Sequence, residues 1–218
     1  MKKSYLVSAF ARIAAEKFPE QSRALNDVFT ARLEALCREN ADASREKKRH
    51  LESNILPGIA MYETLQTVMP KDEALRTFHS CMEEHAWLLK GIFLRLMRVP
   101  GLYRKVPGIF VTQTPKYFGT EAGFAAREIE TGKHIWRIDM TKCPYHDTCV
   151  RYGCPELCPS FCDSDDITYD GLHPRLVWHR TKTLGRGDDC CDFCMKLVDR
   201  GPETGDRVEE RKTKSNGA

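Results

Sequence analysis

The sequence predicts an α+β protein: a helical N-terminal layer packed on a small antiparallel sheet, with a cysteine-rich helical insertion. Three observations predict it. Apolar residues recur at helical spacing from Lys3 to about Val99. That period fails at Pro100-Gly101, and period-two alternation follows around Thr131-Gly132. Cys143, Cys149, Cys154, Cys158, Cys162, Cys190, Cys191 and Cys194 then crowd into one stretch, while Cys37 and Cys81 stand alone in helical sequence. The organisation read from this is a helical region over 1–99, a cysteine-rich α+β region over 100–198 and a tail over 199–218.

In the helical region, Leu6, Phe10, Ile13 and Phe18 form a first apolar stripe, and Leu25, Phe29, Leu33 and Leu36 a second. Leu75, Phe78, Met82, His85, Leu89, Phe93 and Leu96 form a long third. Ala41 to His50 is almost wholly polar and reads as the solvated face of a helix. Asn54 to Met69 reads as another helix, with Pro57 in its first turn and Pro70 ending it.

After the connector, Phe124–Glu130 and Lys133–Met140 read as a hairpin with Trp136, Ile138 and Met140 on one face. Pro144 to Tyr152, closed by Gly153, and Pro155 to about Tyr169, closed by Gly171, read as short helices. Pro159 is expected to bend or break the second. Arg175–Leu184, with Leu176, Trp178 and Arg180 on one face, and Cys191–Val198 supply two more strand patterns. The tail lacks the apolar residues a core needs and should be disordered.

The chain of 218 residues carries 34 Lys+Arg against 31 Asp+Glu, a formal net charge of +3, which is no field for a nucleic-acid-binding protein. No export signal and no run of about 18 apolar residues is read, so a cytoplasmic protein is expected. In a reducing compartment ten cysteines are kept for metals, catalysis or redox chemistry rather than for structural disulfides.

Cys143 precedes Pro144 and should cap a short helix, where unpaired N–H groups and the helix dipole lower a thiol pKa. Cys154, Cys158 and Cys162 are four apart, so one helical face can carry all three, with Asp165 or Asp166 a turn further on. Cys162 also stands beside Asp163, Asp165 and Asp166, an anionic wall suited to an amidine-like cation. Arg180, on a strand pattern, needs an anion if buried, either a substrate carboxylate or a structural Asp. His134, His146, His173 and His179 are available bases that no spacing singles out. Only Cys191 to Cys194 has the C-x-x-C spacing of a zinc site.

Several segments form an ordered set of blocks: His50-Leu51-Glu52-Ser53-Asn54-Ile55-Leu56-Pro57-Gly58-Ile59-Ala60-Met61-Tyr62-Glu63-Thr64-Leu65, Cys143-Pro144-Tyr145, Gly153, Pro155-Glu156-Leu157, Phe161-Cys162-Asp163-Ser164-Asp165, Arg180-Thr181-Lys182-Thr183-Leu184, Gly187 and Cys191-Asp192-Phe193. Together they resemble the L-2-amino-thiazoline-4-carboxylic acid hydrolase family. The resemblance implies hydrolysis of a cyclic isothiourea, the aminothiazoline ring, to a carbamoyl-cysteine. Cys143, Cys162, Asp165, Arg180, Thr183, Cys191 and Asp192 coincide with the family's pattern. Cys149, Cys154, Cys158, Cys190 and Cys194 depart from it and raise metal binding or redox control.

The expectation is therefore a hydrolase acting on a C–N or C–S bond of a cyclic amidine. Cys143, Cys162, Asp165 and Cys191 are its candidate catalytic residues, and Asp163, Arg180 and Thr183 its candidate substrate-binding residues. The reading requires no cofactor. A zinc ion or iron–sulfur cluster, if bound, would take Cys143, Cys162 and Cys191. Its expected partner is a small-molecule substrate, without nucleic acid or membrane, and a homo-oligomer would form through the N-terminal helices. The competing reading is a non-catalytic cysteine-rich module that senses a metal or small ligand.

Overall fold

The computed structural model describes residues 4–199. The expected tail from residue 200 onward lies outside the described residues. The order is α1 (Tyr5–Lys17), α2 (Ser22–Glu39), α3 (Arg45–His50), a π-helical turn (Leu51–Ile55), α4 (Leu56–Leu65), α5 (Lys71–Leu96) and α6 (Val106–Tyr117). There follow β1 (Ala125–Thr131), β2 (Ile135–Lys142), α7 (Pro144–Arg151), α8 (Cys158–Tyr169), β3 (Leu176–His179) and β4 (Cys191–Leu197). The fold is α+β, as the sequence predicts. No described helix is long and apolar enough to cross a membrane.

The helical layer is built around α4. Leu56, Ile59, Ala60, Met61, Tyr62 and Leu65 are all at most 1% exposed, so this helix is buried nearly all round rather than along one stripe. The stripes of α1 and α2 close over it through Leu6, Phe10, Leu25, Phe29, Leu33 and Leu36. The tightest approach is at Gly58, where a Cβ would stand 2.8 Å from the Phe161 ring and 3.1 Å from Phe78. Gly58→Ala is therefore expected to lower stability by about 1–3 kcal/mol through overpacking. A thermal melt checks this, and an unchanged midpoint would mean that Phe161 yields freely.

Pro57 explains the π-helical turn before α4. A proline has no N–H to give the carbonyl four residues back, and its ring collides with that group. The chain widens instead: Leu56 N–H bonds to the Leu51 carbonyl, and the Ser53 carbonyl, which would have served residue 57, accepts the Ser4 hydroxyl at 2.6 Å. Such single wide turns re-aim the residues they contain and are frequent at functional sites. Pro57 is in the first turn of α4, as read from the sequence, and α3 and the π turn lead into that helix without a break from Arg45.

The sheet has the order β1-β2-β4-β3, with every neighbouring pair antiparallel. Trp136, Ile138 and Met140 are buried on one face, as the alternation requires. With Leu176, Trp178, Cys191 and Met195 they form a second core, against Val106 and Phe110 of α6 and Phe93 of α5. Cys149, Cys154, Leu157, Cys158 and Phe161, by contrast, are buried in the first core. The cysteine-rich helices α7 and α8 thus pack on the helical layer, and the seam between the two cores runs along them.

Two local expectations are corrected. Pro159 neither bends nor breaks a helix. Pro155–Leu157 form a separate 3-10 turn, and α8 starts at Cys158 with Pro159 in its first turn, where no N–H is needed. β3 ends at His179, so Arg180 lies just past the strand.

Candidate active site

A cavity of about 400 Å³ opens along the seam. Its lining comes from α3, the π-helical turn, α5, α6, α7 and α8, together with β2 and β4. It brings together Cys143 at the start of α7, Cys162 and Asp165 on α8, Arg180 after β3, and Cys191 on β4. These five are candidate residues of the sequence reading. Asp163 and Thr183 are placed elsewhere: Asp163 accepts a hydrogen bond from Arg186 at 2.6 Å, and Thr183 is buried with its hydroxyl unpartnered, outside the lining. Asp192 accepts from Thr181 and from the Lys182 N–H, fastening the turn after Arg180 to β4.

Arg180 is the centre of the polar wall. Its side chain is 1% exposed. Nη2 donates to Asp166 and to the Cys162 carbonyl, both at 2.7 Å, and the guanidinium lies 5.2 Å from the Phe193 ring centroid. Asp166 also accepts from the Trp178 indole at 2.8 Å, which ties α8 to the β3 edge. Nε and Nη1 remain buried without a hydrogen-bond partner. The nearest Asp165 oxygen is 3.7 Å from Nη1, an ion pair beyond hydrogen-bond range. Two buried, unspent donors on a fork facing a cavity suit a planar anion.

Cys162 and Asp165 are three residues apart on α8 and share its cavity face. The Cys162 thiol is held below its ordinary pKa, first by hydrogen bonding with Cys158 one turn back and then by the Arg180 charge, against the opposing pull of burial. Gly185 makes the close fit possible, because a Cβ there would sit 3.0 and 3.2 Å from the Cys158 and Cys162 sulfurs. Asp165 is raised to about 7, chiefly by burial, with Arg180 pulling it down less strongly. Its side chain is 44% accessible, as a group deep in the protein but facing a void must be.

The sign for stability follows. A carboxyl with a folded pKa of about 7 keeps its proton where the unfolded chain has lost it, so its contribution is full below about pH 4, falls as pH rises from there and is gone above about 7. Asp165→Asn is expected to match the wild type below about pH 4 and exceed it at pH 8 by about 1 kcal/mol, after discounting for water in the cavity. Equal melts at both pH values would contradict the raised pKa.

The other two thiols differ from Cys162. Cys143 does occupy the position before α7, but burial drives its pKa up to about 12 and outweighs the nearby N–H groups of His146 and Tyr145. The expected activation by the helix start is thus overturned by desolvation. Cys191 is raised to about 11 by burial, against the opposing Leu184 N–H at 3.3 Å. All ten cysteines are free thiols. Cys191 and Cys194 fall on opposite faces of β4, so their C-x-x-C spacing does not converge. Among the described residues, no three His, Cys, Asp or Glu side chains converge in a metal-holding arrangement.

Sequence reasoning missed the contribution of the π-helical turn. His50, Ser53 and Asn54 line the cavity, with Glu46 and Arg49 from the polar stretch read as solvated. His50 Nε2 lies 2.8 Å from the Tyr117 carbonyl, and a carbonyl only accepts, so the proton sits on Nε2. Nδ1 then faces the Tyr145 hydroxyl at 3.4 Å, and that hydroxyl accepts from Asn54 at 3.2 Å. Burial lowers the His50 pKa, which favours a neutral ring. The available signal was Pro57, which displaces the backbone four residues before it.

The family model described as L-2-amino-thiazoline-4-carboxylic acid hydrolase matches residues 48–195. The chain belongs to this family. The match begins just before the π-helical turn and ends in β4, so it takes in the cavity lining from His50 to Phe193. For this member of the aminothiazoline-carboxylate hydrolase family, no curated protein and no solved structure gives a match.

Proposed function

We propose that the protein hydrolyses a cyclic isothiourea or amidine bearing a carboxylate, of which L-2-amino-thiazoline-4-carboxylate is the simplest form, to a carbamoyl-cysteine. The observation that carries the reading is the grouping, on one cavity wall, of an activated thiol, a carboxyl with a pKa of about 7 and a buried guanidinium with two unspent donors. Family membership supports the same reaction class.

In this reading Arg180 takes the substrate carboxylate on Nε and Nη1. Asp165, ionised, faces the protonated amidine and accepts the proton that Cys162 sheds. The Cys162 sulfur attacks the ring carbon between sulfur and nitrogen and forms a C–S bond to the enzyme. One ring bond from that carbon breaks, and the departing heteroatom takes the proton held by Asp165. Water then adds to the same carbon and expels Cys162, so the net change is one water added. Asp165 and Cys162 lie on one helix face and Arg180 is fixed by Asp166, so the three need no rearrangement to act together.

The test is to incubate reduced protein with L-2-amino-thiazoline-4-carboxylate and to follow substrate loss and product mass. Turnover to a product heavier by one water supports the reading, and no turnover counts against it. Across pH, kcat/KM should rise through a limb near 7 as Asp165 ionises, and the Asp165→Asn variant should lack that limb. A limb that survives in Asp165→Asn would assign the titration to another group.

A further inference from the structure

We propose that the preferred substrate is larger than the bare aminothiazoline: a cyclic amidine or isothiourea carboxylate carrying an apolar substituent about the size of a second ring. The inference rests on the hydrolase reading above and specifies its substrate class. L-2-amino-thiazoline-4-carboxylate has about nine non-hydrogen atoms and fills roughly 150 Å³ at organic packing density. The cavity holds about 400 Å³, so the small ring would leave more than half of it unfilled.

Part of the unfilled space is bordered by apolar side chains. The groups that recognise the ring, Cys162, Asp165 and Arg180, come from α8 and the segment after β3. The lining that α5 and the α6–β1 connection contribute includes Met82, Leu89, Phe118 and Phe124. These side chains offer water few partners. Phe118 and Phe124 stand edge to face at 5.3 Å, and Phe118 keeps 42% of its surface exposed. A pocket with the Cys162, Asp165 and Arg180 wall on one side, polar groups of α3 and the π-helical turn on another and an apolar stretch from Met82, Leu89, Phe118 and Phe124 has room for a ligand with one charged head and one apolar arm.

The experiment compares three rings as substrates of the full-length reduced protein: the bare compound, its derivative with a benzyl group on the exocyclic nitrogen, and its derivative with a phenyl group on the ring carbon next to sulfur. The expected result is a kcat/KM roughly 10- to 100-fold higher for at least one of the larger rings, mainly through KM, as burial of one apolar ring gives. Leu89→Phe, which fills the apolar wall, should lower that ratio. Turnover of a larger ring alone would support both readings. Turnover of the bare ring with both larger rings slower overturns this inference and leaves the hydrolase reading standing. Turnover of none overturns the hydrolase reading and this inference with it.

Discussion

Cys162→Ser is expected to lose at least about 10³-fold in kcat with little change in KM, equivalent to roughly 4 kcal/mol of transition-state stabilisation. A hydroxyl is a poor nucleophile without a strong base beside it, whereas the wild-type thiol is poised by Cys158 and Arg180 to ionise. Steady-state rates on L-2-amino-thiazoline-4-carboxylate measure the effect. The companion changes Cys143→Ser and Cys191→Ser should cost far less, because burial keeps both thiols protonated, at pKa values of about 12 and about 11. If Cys143→Ser were the crippling change instead, the nucleophile would be misassigned.

Arg180→Lys is the second large effect. Lysine keeps the charge near Asp166 but loses the fork that presents Nε and Nη1 to the cavity and the stacking on Phe193. Truncating a buried charged hydrogen-bonding group typically costs 2–5 kcal/mol, so KM for a carboxylate substrate should rise about 30- to 5,000-fold. The matched control is the substrate's carboxamide, which lacks the anion. Wild type and variant should differ much less on it, a double-mutant cycle between side chain and substrate. An equal loss on both substrates would make Arg180 a structural ion-pair partner of Asp165 and Asp166 only.

How much of this could be read from the sequence differs between fold and site, for physical reasons. Helical stripes and the hairpin alternation declare themselves because burial is periodic, so Phe10, Phe29, Trp136 and Ile138 are all found buried. Cys162, Asp165 and Arg180 were legible because a thiol among carboxylates and an arginine in apolar sequence are unusual wherever they occur. The contribution of His50, Asn54 and Tyr145 was not, because it depends on the chain widening before Pro57 and on α7 docking against α3 and the π-helical turn, long-range events with no local period. The Cys143 thiol pKa failed for a related reason. The N-cap position was correctly read from Cys-Pro, but the burial that raises the thiol pKa comes from the packing of the seam, which no local pattern in the sequence announces.

The measurement that bears most directly on the central claim is the intact mass of protein acid-quenched during turnover, with the modified residue located by peptide mapping. Ring opening on Cys162 loses no atom, so a species heavier by one whole substrate and carried on Cys162 is expected in the wild type and absent from Cys162→Ser. Unmodified wild-type protein during turnover, together with full activity in Cys162→Ser, would contradict it.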